Sequence, residues 1–196
     1  MVVPSLSLMP ASKIALRRIA RERRRDFVES LDPAQRETLE RQLADVVAPL
    51  LARSRVTGGY CPMPSEISPL PAMDAAAKGG AVVAYPAFAD HQSAFRFLAG
   101  DPTEAGPWAC FQPSLNSPEV FPDLVLVPLV AIDDKGTRLG QGKGHYDRVL
   151  GKLRERGALL IGVGWDVQKL DEPIPTEPWD VGLDGFASPA RLEMFR

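Results

Sequence analysis

The chain has 196 residues, 45% hydrophobic and 24% charged, with a formal net charge of −2. This is one domain's length of ordinary globular composition, enough to bury a substantial core, and the charge gives no global reason to expect nucleic acid or membrane. Cys61 and Cys110 form no metal or redox spacing, which argues against a disulfide-stapled secreted fold and for reduced thiols in a cytosol. Residues 1–12 are expected to be a flexible N-terminus. The basic cluster follows the mildly apolar first ten residues, the wrong order for a signal peptide, and no run is long enough to span a bilayer.

Ser12 can cap a helix starting at Lys13. At about 100° per residue, Lys13, Arg17, Arg21 and Arg24 fall within a quarter-turn of one another. Leu16, Ile19 and Phe27 lie on an adjacent face, expected to pack inward. By itself the basic stripe reads first as a solvated face, with a nucleic-acid or lipid patch as the alternative. Asp32-Pro33 opens a second helix whose apolar stripe is Leu39, Leu43, Val46, Val47 and Leu50, and which Pro49 should bend or end.

Val56 to Tyr60 reads as a short strand, leading into a stiff loop, Cys61-Pro62-Met63-Pro64-Ser65-Glu66. Taken alone, Glu66 is an exposed loop carboxylate. Pro71 to Lys78 is helical with Gly79-Gly80 as its stop, and Ala81 to Tyr85 is a buried strand closed by Pro86. Phe95 to Phe97 is a short strand. Asp101 to Pro113 is irregular, with Trp108 and Phe111 read as core plugs rather than a cleft cover.

Asp123 to Leu150 organises the rest. An apolar run, Leu124 to Val127, precedes a loop of small residues and the start of an amphipathic helix. Glycines let backbone N–H groups approach an anion, the helix N-terminus adds partial positive charge, and Lys143 and Arg138 add cations. Asp147 is placed to offer an oxygen to a phosphate-bound magnesium. The loop is neither a Walker A sequence nor a dinucleotide fingerprint: Thr137 and Gly144 stand where the first needs glycine and a hydroxyl. Gly140-Gln141-Gly142-Lys143-Gly144 has the wrong last spacing for the second, and no strand is expected to run directly into it. Three alternate glycines around a lysine favour an anion-binding loop over a plain turn. Beyond it come a helix from Tyr146 to Arg156, stopped by Gly157, and a buried strand from Leu159 to Trp165.

Arg138-Leu139-Gly140-x-Gly142-x-Gly144-x-Tyr146-Asp147-Arg148, preceded by Leu-Val-Pro and an acid, resembles the signature of the 5-formyltetrahydrofolate cyclo-ligase (methenyltetrahydrofolate synthetase) family. Lys13-Ile14-Ala15-Leu16-Arg17 is similar to that family's opening Lys-x-x-Leu-Arg. Tyr60 and Glu66 match its tyrosine strand and pterin-gripping glutamate, and Gln168 and Pro175 match its later loop. The family's His-Asp pair reads Trp179-Asp180 here, so the aspartate is kept and the histidine is not. His145 stands where relatives often carry tyrosine.

The resemblance implies ATP- and Mg2+-dependent cyclisation of 5-formyltetrahydrofolate to 5,10-methenyltetrahydrofolate. It places Lys143 and Arg138 in catalysis, and puts the nucleotide on Lys13, Arg17, Arg138, Gly140, Gly142, Lys143, Gly144 and Tyr146. Folate falls to Tyr60, Glu66, Gln141 and His145, and the metal to Asp147 and Asp180. Arg18 and Arg23 to Arg25 are left as surface charges. The partners are then a folate and ATP, without nucleic acid or membrane, for a cytoplasmic monomer. Alternating strand and helix patterns from residue 56 onward predict a three-layer, single-domain α/β fold with a largely parallel sheet. Pro128 should end the central run at a bulge or sheet margin.

Overall fold

A computed structural model describes residues 12–107 and 110–195. The elements in chain order are helices α1 (Lys13–Glu29) and α2 (Pro33–Leu51), strand β1 (Val56–Gly58), helix α3 (Leu70–Lys78), and strands β2 (Val82–Ala87), β3 (Arg96–Ala99), β4 (Glu104–Ala105) and β5 (Phe111–Gln112). There follow β6 (Leu124–Pro128), β7 (Ala131–Ile132), β8 (Arg138–Leu139), α4 (His145–Glu155), β9 (Leu159–Val163), a 3-10 turn (Asp166–Gln168), β10 (Gly185–Ala187) and β11 (Leu192–Met194).

Local chemistry sets the helix starts. The Ser12 hydroxyl accepts from Ala15 N at the head of α1, and Asp32 and Gln35 form a reciprocal capping box ahead of Pro33. Pro49 sits inside α2 without ending it at once; the helix closes two residues later at Leu51, near enough to its end that few hydrogen bonds are at stake. Ile19, expected inward, is 37% exposed, because the inner face of α1 is carried by Leu16 and Ala20.

The seven-stranded sheet runs β11-β10-β9-β6-β1-β2-β3. Its four inner pairings are parallel, and its two edge pairings, β2 with β3 and β10 with β11, are antiparallel. In β6, Leu124 and Leu126 face a core cluster shared with α2 and α3, while Val125 and Val127 face another shared with α4. Alternate side chains feeding two cores make the three layers, and explain why the strand is apolar throughout. Pro128 ends β6 where only β9 still runs alongside, at Val163, so its missing N–H costs little. At Pro86 the expectation fails: β2 continues through it to Ala87 in register with β3.

A third cluster joins Leu16 and Ala20 of α1 to Val130, Ala131 and Leu139 on the β7–β8 hairpin. This lays α1 over the hairpin beyond the carboxyl end of β6. The hairpin also corrects the expectation that no strand leads into the glycine loop, since β8 ends at Leu139 and Gly140 follows directly. Two residues are too few for a sequence pattern to register. Of the segment expected to be flexible, residues 1–11 lie outside the described residues, as does Trp108.

Candidate active site

From β1 the chain crosses to β2 on one side, and later returns to place β6 on the other. Strands whose connections part in opposite directions leave a crevice at their carboxyl ends, where ligands bind in open α/β sheets. A cleft of about 690 Å³ opens at that place. Its floor is Tyr60, Cys61 and Glu66 after β1, Pro86 and Phe88 at the end of β2, and Pro128 and Leu129 at the end of β6. Lys13, Arg17 and Arg21 of α1, residues 140–147, and the segment from Glu177 to Asp180 form its walls.

The basic face of α1 is turned into this cleft. Lys13 pairs with Asp180, and Arg17 Nε donates to Gly140 O at 2.9 Å. Arg21 Nη2 donates to Gln141 Oε1 at 2.8 Å and to its carbonyl at 3.2 Å. Arg24, expected on the surface, is only 5% exposed: its Nη1 donates to Leu129 O at 3.3 Å and stands 3.5 Å from Glu66 Oε1. Its place on the stripe with Lys13 and Arg17 was the sequence signal for this, and spacing alone could not say which way the stripe faced.

Glu66 is likewise buried, at 6% exposure, where an exposed loop carboxylate would have been the plain reading. Met63 N donates to Glu66 Oε2 at 3.0 Å, and Gln141 Nε2 to Glu66 Oε1 at 3.3 Å. The pair and these donors satisfy a carboxylate that burial would otherwise penalise. Tyr60 is buried beside it, its hydroxyl donating to Ile67 O at 2.7 Å. Burial, then the Glu66 charge, push the Tyr60 phenol well above its usual value.

Across the cleft, Arg138 and Asp147 hold each other, Nη2 to Oδ1 at 2.7 Å, with the guanidinium 5.5 Å from the Tyr146 ring centre. A Cβ on Gly140 would lie 2.8 Å from Arg138 Nη1, so any other residue there would push the guanidinium aside. Gly144 caps α4 at φ +66, a left-handed conformation favouring glycine, with no side chain on the first amides of the helix. Lys143 is exposed on the loop between.

His145 packs edge-on to Phe88 at 5.4 Å between ring centres. Burial, then repulsion from Arg148 and Lys143, hold its imidazole below the ordinary value, so it is neutral at neutral pH. Burial first, and Glu66 next, raise the Tyr146 phenol. Phe111, expected in the core, is 60% exposed and lines the cleft, because its strand is two residues long and only Gln112 turns inward, bonding Phe88 N at 3.0 Å.

Every residue expected to bind nucleotide, folate or metal lines this one cleft. Phe88 and Glu177 were not singled out, and Arg21 was named only as part of the basic stripe. Among the described residues no three His, Cys, Asp or Glu side chains gather to hold a metal ion, and no helix is long and apolar enough to cross a membrane.

The family model for the 5-formyltetrahydrofolate cyclo-ligase family matches residues 9–189. The chain belongs to that family. It is 30% identical over 201 residues to the 5-formyltetrahydrofolate cyclo-ligase of Mycolicibacterium smegmatis, spanning 94% of this chain and 97% of that one. Its match to the Haemophilus influenzae enzyme is 38% identical over 101 residues, 49% of this chain and 54% of that protein. Its match to the Escherichia coli K12 enzyme covers 46% of that one, so the chain spans about half the length of these two relatives. Among solved structures, the 5,10-methenyltetrahydrofolate synthetase of Aquifex aeolicus superposes with a TM-score of 0.76 at 24% identity, over 94% of this chain and 93% of that one. The Mycoplasma pneumoniae synthetase does so with a TM-score of 0.68 at 22% identity, over 91% and 99%. At those identities the likeness carries the single-domain α/β fold.

Proposed function

We propose that the chain catalyses ATP-dependent cyclisation of 5-formyltetrahydrofolate to 5,10-methenyltetrahydrofolate, releasing ADP and phosphate. The observation that carries this reading is the contact between the two halves of the cleft: Gln141 of the glycine loop donates to Glu66 at 3.3 Å, so an anion-binding loop and a buried carboxylate share one cavity. A triphosphate suits the loop, and a pterin's paired N–H donors suit the carboxylate.

A formamide oxygen is a poor leaving group. Its attack on the γ-phosphorus expels ADP and leaves an iminium-like formyl phosphate at N5. The N10 lone pair then attacks the formyl carbon, the C–O bond breaks, phosphate departs, and the N10 proton passes to water. Phosphoryl transfer asks for positioning and charge neutralisation more than for covalent help. Lys143 and Arg138, with Lys13 and Arg17, balance the triphosphate charge, while the amides of Gly140, Gly142 and Gly144 and the Tyr146 ring border it. Glu66 orients the pterin, with Tyr60, Gln141 and a neutral His145 on the folate side.

Asp147 and Asp180 would hold magnesium, which when bound neutralises phosphate charge. Two carboxylates fit an ion that takes most of its ligands from phosphate and water. Each is paired with a cation now, Asp147 with Arg138 and Asp180 with Lys13. Ligand entry on this reading is an exchange, cations to phosphate and carboxylates to metal. Arg17 and Arg21 line the cleft, which supports a small anionic ligand over a nucleic acid.

The test is to mix protein, 5-formyltetrahydrofolate and magnesium, with and without ATP, and follow the near-ultraviolet absorbance of the methenyl product. ATP-dependent growth of that band is the expected result. A folded protein that binds ATP yet gives no band would redirect the reading to a family member with another small substrate, an alternative that Trp179 in place of the family's histidine favours.

A further inference from the structure

One part of the cleft wall owes nothing to the glycine loop. Asp180 N donates to Glu177 O at 3.0 Å, Glu177 N donates to Asp180 Oδ2 at 2.7 Å, and the same oxygen takes Lys13 Nζ. Pro178 occupies the second position of this turn, where its fixed φ fits. The turn is thus held by its own Glu177–Asp180 bonds, which do not depend on the pair with α1. Trp179, its third residue, lines the cleft and keeps 68% of its surface exposed, whereas Trp165 is fully buried in the core. A large apolar ring held in water on a fixed turn at the edge of a binding cleft packs no core, and it needs a reason to be there.

We propose that Trp179 is the stacking platform for the purine base of the bound nucleotide. The inference rests on the nucleotide and folate reading of the cleft, and it adds a direction to it. Lys13 and Arg24 are eleven residues apart on α1, about 16 Å along the helix. Glu66 lies at the Arg24 end, Arg17 and the glycine loop in the middle, and Trp179 with Asp180 at the Lys13 end. A γ-phosphate must face the folate formyl group, so the nucleoside extends away from Glu66, toward Lys13 and the indole. Phe111, another exposed aromatic on the cleft, is tied instead to the end of β2, where neighbouring Gln112 is bonded to Phe88. An indole face takes a base by stacking, which favours a nucleotide over bare triphosphate yet tolerates adenine and guanine alike.

The test compares calorimetric affinities for Mg-ATP and Mg-tripolyphosphate in the wild-type chain, Trp179→Ala, Trp179→Phe and Phe111→Ala. Stacking predicts that Trp179→Ala loses about tenfold in ATP affinity and little for tripolyphosphate, and that Trp179→Phe restores most of the loss. Phe111→Ala should keep the preference for ATP over tripolyphosphate. Equal losses for both ligands in Trp179→Ala, or an unchanged ATP affinity, would overturn the proposal. A wild-type chain that binds neither ligand overturns the nucleotide reading itself and the platform with it. Circular dichroism on each variant separates these outcomes from misfolding.

Discussion

Two ion pairs made by the same helix stand in unlike surroundings. Arg24 and Glu66 keep 6% and 8% of their side-chain surface, against 18% for each of Lys13 and Asp180. At the Arg24 end, carbonyl, amide and carboxamide partners close around the charges, so removing one charge strands the other in a dry site. At the Lys13 end the partners remain in reach of water, and either can be given up to another ion at small cost. One helix face therefore serves two purposes, a fixed floor and an exchangeable mouth.

The largest effect should come from the glycine loop that lies between floor and mouth. Lys143→Ala is expected to lower turnover by about a hundred- to thousandfold while melting like the parent chain, as loss of a transition-state cation does. Near-parental turnover in the methenyl assay would remove Lys143 from the chemistry. The floor is tested next. Arg24→Met should cost about 3 kcal/mol in urea unfolding, and adding Glu66→Gln to it should return most of that loss. A loss no greater than that of a mouth residue would erase the contrast.

Asp180→Asn supplies that mouth reference. It should change stability by about 1 kcal/mol or less, since the amide oxygen can still accept from Glu177 N. A cost as large as that of Arg24→Met would show the mouth to be as fixed as the floor.

The last test concerns pH. Burial, with Cys110 adding to it, pushes the Cys61 thiol up to about 11 from an ordinary 9.0. Because the folded value is the higher one, its contribution to stability is whole below pH 9 and is lost as pH rises from there to about 11, while the unfolded chain ionises first. Urea midpoints across that window should fall, and fall less in Cys61→Ala. Iodoacetamide should also label the folded thiol slowly at pH 8, read by mass spectrometry against denatured protein.

Much of this was legible in the residues. Ser12 and Asp32-Pro33 announced their helices because capping is settled within three or four residues. The run at Leu124 announced a buried central strand because both its faces are apolar. Within the signature, Arg138 and residues 140–147, with the matches at Lys13, Tyr60 and Glu66, do line one cleft. What failed depended either on a distant neighbour or on an element too short to leave a pattern. Pro86 remained in a strand because β3 pairs alongside it, Phe111 stayed at the surface because its own strand is too short to turn it inward, and β8 was too brief to leave a period.

The sequence by itself determined the helix caps, the alternation that makes a two-sided sheet, and a cation-rich glycine loop, all consequences of bonding and periodicity over a few residues. Only the tertiary structure decided that the Lys13–Arg24 face turns inward, that Glu66 is buried against Arg24, and that Arg138 and Asp147 hold each other. The physical reason is burial. The meaning of a charge depends on the water left around it, and that is fixed by segments more than a hundred residues away, as Leu129 is from Arg24.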